Sequence, residues 1–325
     1  MPADVREEKN RKQVTDPIHS KQQLRPFFAK YAKLLAKMQE LPPEDPRDEV
    51  VQILAPLTEN ILRADGMPEI LSHYTNFAGL NSILETGELW ATYSQTLNDI
   101  SEEKFGRQLV SGYVTPKIRS EEGKKKLSTV LRLEGRRFVT CFCCSSDVLS
   151  MWRYYGNQGG GYCLEFDGPD LQMCKFPQFG AKLLMKMHYG ASLSPEMKEF
   201  LDAVAECASK GMPYAHEAAF RTLPFVYKLK DQAFHEEQEW RLLVDDPDDP
   251  SLYHFREGHG GIKPFLKLRP YKGDGTATRL PLKRIVIGPT LRNDPVLKET
   301  IQMMLAKYGY GGLPVEFEKS PIRPI

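Results

Sequence analysis

Two short runs restrict this fold more than anything else in the chain. RFVTCFCC at 137–144 and YCLEFD at 162–167 have the β-branched and aromatic composition of buried strands. They sit in a region, from Glu69 onward, where strand and helix signals alternate. EILSHYT at 69–75 reads as a strand, Asn76 can cap a helix through Glu85, and Gly87 stops it. A short strand at 89–92 follows, then a loop and a helix starting near Glu102, with Asp99 or Ser101 as its cap. Residues 117–137 are charged and helical, and 147–155 is a short helix. KLLMKMHY at 182–189 reads as a strand, Ser194-Pro195 opens a long helix, and 212–227 is another. Strands near 262–268, 284–288 and 315–318 and a helix over 294–308 close the chain. The order predicts an α+β fold, a mixed, largely antiparallel sheet with flanking helices.

The N-terminal region differs in texture. Residues 1–21 are polar and charged and predict a mobile tail. Leu24, Phe27, Phe28, Tyr31, Leu34, Leu35 and Met38, then Val50, Val51, Leu54, Leu57, Ile61 and Leu62, form two helical stripes. The expected organisation is therefore a tail at 1–21, a helical hairpin at 22–66 and one α+β domain at 67–325. Core packing is the favoured reading of both stripes. A lid, a homodimer contact or a partner contact through these helices is the alternative.

Composition removes several function classes. With 325 residues, 41% hydrophobic, the chain can bury a substantial core. Its 44 basic and 43 acidic residues give no overall basic field for nucleic acid or an anionic membrane. No apolar run approaches the roughly 20 residues that span a bilayer, and the N-terminus lacks the apolar region of a signal peptide. A cytoplasmic protein without membrane contact is expected. Six cysteines without paired C-x-x-C spacing and seven histidines without H-E-x-x-H speak against zinc, so no metal is expected.

The stretch KLKDQAFHEEQEWRLLV at 228–244 is the one most suited to chemistry. As a strand over 237–244, its two-residue period puts Glu237, Glu239 and Arg241 on one face, with Gln238, Trp240 and Leu242 on the other. A salt-bridged edge strand accounts for the pattern equally well. His73 ends a strand just before a helix, where a side chain can reach a ligand, and Tyr74 and Thr75 are similarly placed. Ser145 and Ser146 stand at a like position, ahead of Trp152, Tyr154 and Tyr155, aromatic groups divided between core and cleft. Glycines 156, 159, 160 and 161 match neither G-x-G-x-x-G nor a phosphate loop and read as turn residues. Asn98 and Asp99 could touch a substrate, although turn and capping roles are favoured.

H-Y-T at 73–75, L-N-D at 97–99, M-W-x-x-Y at 151–155, G-x-C-x-E-F at 161–166 and E-x-E-W-R at 237–241 occur together in this order. Over about 73–288 the chain resembles a bacterial family catalogued as domain of unknown function 2971. More distantly, the block order is similar to ADP-ribosyltransferases, whose first strand supplies His or Arg, whose second supplies Ser or Tyr, and whose late strand supplies Glu.

That resemblance implies an ADP-ribosyltransferase-like sheet and NAD as substrate, in a toxin or phage-defence effector. It casts Glu239 as the catalytic carboxylate on the ribose and Glu237 as the group that handles the acceptor. His73 would bind the adenosine ribose, Ser145 would support the nicotinamide side and Tyr155 stack on the nicotinamide, Tyr74 and Trp152 would join the cofactor-binding set, and Arg241 would meet the pyrophosphate or orient Glu239. The acceptor class, whether protein, nucleic acid or small molecule, stays open. Two alternatives remain, a non-catalytic nucleotide sensor on the same scaffold and a magnesium-dependent nuclease aided by Lys124–Lys126. In the first reading Glu237 and Glu239 face one cleft with His73 and Ser145.

Overall fold

The computed structural model describes residues 46–97, 101–132, 136–177, 179, 182–247, 249–258, 261–291 and 294–318. The tail at 1–21, the helix expected around 24–38, and Asn98 and Asp99 lie outside the described residues. The helices are α1 (Pro46–Ala64), α2 (Phe77–Thr86), α3 (Ser101–Val114), α4 (Glu121–Arg132), α5 (Leu149–Tyr154), α6 (Gly168–Met173), α7 (Pro195–Ser209), α8 (Met212–Val226) and α9 (Pro295–Lys307). The strands are β1 (Ile70–Thr75), β2 (Leu89–Tyr93), β3 (Arg137–Cys143), β4 (Tyr162–Asp167), β5 (Lys182–Lys186), β6 (His188–Tyr189), β7 (Leu229–Lys230), β8 (Glu239–Asp245), β9 (His254–Gly258), β10 (Gly261–Leu268), β11 (Leu282–Ile287) and β12 (Val315–Phe317).

Local chemistry sets the element ends where the sequence predicts them. The Asn76 side chain accepts the Gly79 N–H at 2.9 Å, and Gly87, at φ 66°, returns its N–H to the Ile83 carbonyl. Such an N-cap is worth about 1 kcal/mol, and the left-handed C-cap is open to glycine at little cost. Ser194 caps α7 through the Met197 N–H, with Pro195 in the first turn.

The main sheet is α+β in character and mostly antiparallel, in the order β12-β11-β4-β1-β3-β2-β10-β9. One edge of β3 pairs along its whole length with β8, and β5 lies beyond β8. On its other edge β3 meets two strands, β1 at Cys143 and β2 at Phe138 and Val139. The sheet forks there, with β1, β4, β11 and β12 on one arm and β2, β10 and β9 on the other.

Both faces are covered, which is why β3 reads as an apolar run without alternation. Phe138, Phe142, Trp240, Leu242 and Val244 pack with Leu80 and Leu84 of α2 and Ile301 and Leu305 of α9. Val139 and Leu243 look the other way, into a layer built from α3, α4, α7 and α8. Val50, Leu54 and Ile61 of α1 join that second core, so this helix of the expected hairpin packs as part of the layer. Lys124 pairs with Glu121 on an exposed face of α4.

Two expectations need correction, and one strand was not expected. KLLMKMHY is two strands, because β5 pairs with β8 whereas His188 and Tyr189 pair in parallel with β7. The strand expected over 237–244 starts at Glu239. Ahead of it a 3-10 turn, Gln232–Glu237, is capped by Asp231 and ends at Gln238 with φ 43°. The hairpin partner β9 had no clear signal, since Phe255 is exposed and the strand carries no buried alternation.

Candidate functional site

Register decides which face each β8 side chain takes. Glu239 pairs with Cys143, Trp240 with Phe142 and Arg241 with Cys141. Glu239 and Arg241 therefore share one face and Trp240 the opposite one, as the two-residue period predicts. β8 lies between β3 and β5, so it is an interior strand and not the salt-bridged edge.

A continuous charge network runs from these two residues. Arg241 Nε donates to Glu239 Oε1 at 2.6 Å and Nη2 to Glu239 Oε2 at 3.0 Å. Its other edge donates to Glu102 in the first turn of α3, through Nη1 and, at 2.9 Å, through Nη2. Lys230 Nζ lies 2.7 Å from Glu239 Oε2, 2.5 Å from Glu237 Oε2 and 3.7 Å from Glu102 Oε2. The Tyr155 hydroxyl donates to Glu237 Oε1 at 3.2 Å. Tyr189 and Lys230 are partners in the β6–β7 pair, and the Tyr189 hydroxyl accepts the Glu239 N–H at 2.7 Å. The Phe234 ring lies 5.1 Å from Lys230 Nζ.

The two ends of this network differ in solvent access and in titration. Glu239 and Arg241 are each 3% exposed, whereas Tyr155 is 37% exposed and Glu237 half-buried. Burial alone would push the Glu239 carboxyl up, but the Arg241 and Lys230 charges outweigh it and hold the group at about 2. For Glu237 burial wins over the attraction of Lys230, and its carboxyl is raised. Burial disfavours the charged Lys230, yet the surrounding carboxylates reverse this and raise it above an ordinary lysine. The Tyr155 hydroxyl is raised too, by burial and by the Glu237 charge. Chemically, the site offers one locked carboxylate, one accessible carboxylate whose charged form is disfavoured, and an aromatic face beside it.

The expectation of a single cleft shared with His73 is not met. Ser72 pairs with Cys143, so alternation turns His73 to the Phe142 and Trp240 face, away from Glu239. Its ring lies 5.8 Å from Phe142, and Nδ1 is 2.9 Å from the Cys141 carbonyl. It bridges β1 and β3 just where β2 takes over that edge. Burial and the Arg256 charge lower its basicity, partly offset by the carbonyl.

Tyr74 donates its hydroxyl to the Ser145 carbonyl at 2.9 Å and stands edge-on to Trp152 at 4.9 Å. Trp152 is fully buried, with Nε1 bonded to the Ser146 carbonyl at 2.8 Å, so it is a core residue. The Ser145 hydroxyl bonds Asp147. These three residues brace the start of α5 and thereby aim Tyr155. Behind it Gly161 passes so near β1 that a Cβ would come to 2.4 Å from the Thr75 carbonyl, which explains this glycine.

Lys230, Glu102 and Tyr189 belong to the site although the sequence expectation does not include them. Lys228 and Lys230 within FVYKLKDQ were a usable signal, because lysines in an otherwise apolar strand require buried partners. Lys228 finds Asp65 at 2.6 Å and Lys230 finds the E-x-E pair.

The profile of a family described as "Protein of unknown function (DUF2971)" matches residues 151–242. This span is narrower than the 73–288 expected, and it contains Tyr155, Lys230, Glu237, Glu239 and Arg241 but neither His73 nor Ser145. No curated protein and no solved structure matches the chain.

Proposed function

We propose that the chain cleaves the bond between ribose and nicotinamide of NAD and transfers the ADP-ribosyl group, with the Tyr155–Glu237–Lys230–Glu239 network as its site. The observation that carries this is the geometry of two carboxylates held by one lysine, Glu239 sealed and Glu237 half-buried beside the partly exposed Tyr155 ring, which sets their titrations apart. Paired groups pushed apart in this way are suited to different roles in one reaction. The adjacency of β1, β3 and β8, the strands bearing the three sequence blocks, supports the choice of NAD.

Bond cleavage builds positive charge on the ribose, and a fixed carboxylate lowers that barrier. Glu239 has both oxygens engaged and almost no exposure, so it acts as a positioning residue that holds Lys230. Glu237 reaches the surface. Tyr155 and Lys230 fix one bond on each of its oxygens, and the remaining lone pairs can meet the developing cation or take the acceptor proton. The Tyr155 ring can stack on the planar nicotinamide. His73 has no part in this scheme.

A nuclease fits less well, because Lys230 Nζ stands among Glu102, Glu237 and Glu239 where a cation would. Among the described residues no three His, Cys, Asp or Glu side chains are arranged to hold a metal ion.

The test is nicotinamide release from NAD by the full chain, by Glu237→Gln and by His73→Phe. Glu237→Gln is expected to lose at least about a hundredfold in rate, and His73→Phe to stay within a fewfold of the parent. Binding of NAD without any cleavage would favour the sensor reading. No binding at all ends the proposal.

A further inference from the structure

A short clip, residues 186–190, ties together the two strands that carry Lys230 and Glu239. β5 runs along β8 with Lys186 opposite Trp240, and the Met187 N–H then reaches the Glu239 carbonyl at 2.9 Å. One residue later the chain changes partner. His188 donates its N–H to the Lys228 carbonyl at 2.7 Å and Gly190 its own to the Lys230 carbonyl at 3.0 Å, around the separate β6–β7 pair.

Tyr189 of this clip reaches β8 with its side chain, and its hydroxyl accepts the Glu239 N–H at 2.7 Å. That N–H belongs to the peptide between Gln238 and Glu239, where the 3-10 turn Gln232–Glu237 gives way to the strand. Gln238 sits there at φ 43° and ψ 45°, a left-handed conformation that a residue with a Cβ keeps only when its surroundings hold it. The Asp231 carboxylate accepts the Ala233 N–H at 2.9 Å and so fixes the other end of the turn. Relaxing Gln238 to extended backbone would swing the turn and carry Glu237 off Tyr155. Burial raises the Tyr189 hydroxyl above an ordinary tyrosine, so it stays neutral and the bond persists through the acidic and neutral range.

We infer that Tyr189 is a positioning residue for Glu237: by holding the Glu239 N–H, its hydroxyl keeps the chain turned at Gln238 and Glu237 beside Tyr155 and Lys230. The catalytic consequence rests on the proposed role of Glu237, whereas the positioning itself does not. Tyr155 and Lys230 act on the carboxylate directly, and Tyr189 acts on the backbone that carries it. This also gives a reason for the N–H of the first β8 residue to be met by a side chain from outside the main sheet.

The test follows the Glu237 carboxyl by carbon-13 NMR in the full chain labelled at its glutamate side chains, with the signal assigned through Glu237→Gln. The parent, Tyr189→Phe, and Tyr189→Phe combined with Gln238→Gly are compared, and nicotinamide release from NAD is measured alongside. Lys230, Glu239 and Tyr155 face this carboxyl and, with burial, set its titration midpoint. Tyr189→Phe keeps the ring and removes the hydroxyl, so the midpoint should fall toward that of an exposed glutamate as Glu237 leaves its place. Glycine takes the left-handed conformation without steric cost, so adding Gln238→Gly should return the midpoint toward the parent's. In release from NAD, Tyr189→Phe should lose about tenfold or more in kcat with KM within a fewfold, and the added glycine should recover most of that loss. A Tyr189→Phe midpoint equal to the parent's, or a shift that Gln238→Gly does not reverse, overturns the inference. If the midpoints move as expected while the parent releases no nicotinamide, the NAD reading fails and the positioning stands.

Discussion

Glu237 and Glu239 are two residues apart and touch the same lysine nitrogen, yet they belong to different regions of the molecule. Around Glu239 the strand is paired on both sides, Arg241 and Lys230 take its oxygens, and the helical layer seals it. Around Glu237 the chain has left the sheet as a 3-10 turn, and the carboxylate meets Tyr155 at the surface. The sealed end gives the charge network its rigidity, and the open end gives it access. What separates them is backbone conformation, since the E-x-E pattern itself makes the two residues look equivalent.

The largest expected effect probes the sealed end. Lys230→Met removes the cation held between Glu237 and Glu239 and leaves buried negative charge, a change of about 3 kcal/mol or more. Urea unfolding reads this directly, and a loss below about 0.5 kcal/mol would mean the network is not sealed.

A smaller effect separates the carboxylates by pH. Glu239 is held at about 2, below its ordinary 4.5, so the stability it adds is complete above about 4.5 and drains as pH falls toward 2. Glu237 is shifted the opposite way, so its contribution is present below its ordinary value and is lost as pH rises through the raised one. Melting temperature against pH should therefore fall less steeply between 4.5 and 2 in Glu239→Gln than in the parent. In Glu237→Gln the neutral-pH stability should be unchanged or modestly higher. Parallel curves for all three proteins would erase the distinction.

What the sequence makes legible here is local. Asn76 and Gly87 mark a helix because capping is decided within four residues, and Glu239 pairs with Arg241 because a strand puts i and i+2 on one face. Glu102 reaches Arg241 across 139 positions, and no spacing rule connects them. The end of β1 is readable at His73, but its face depends on the single register pair Ser72 with Cys143, which tertiary packing sets. The start of β8 was misplaced because Glu237 continues the polar alternation by composition, whereas the Asp231 cap and the left-handed Gln238 draw it into a turn.

The most direct measurement is the pH dependence of nicotinamide release from NAD by the parent, Glu237→Gln and Glu239→Gln, each assayed where it is fully folded. An acid limb is expected in the parent above the range of an exposed glutamate, from the raised Glu237 carboxyl. That limb should vanish, with most of the rate, in Glu237→Gln, and persist at reduced amplitude in Glu239→Gln. A limb that survives Glu237→Gln and disappears with Glu239→Gln would contradict it.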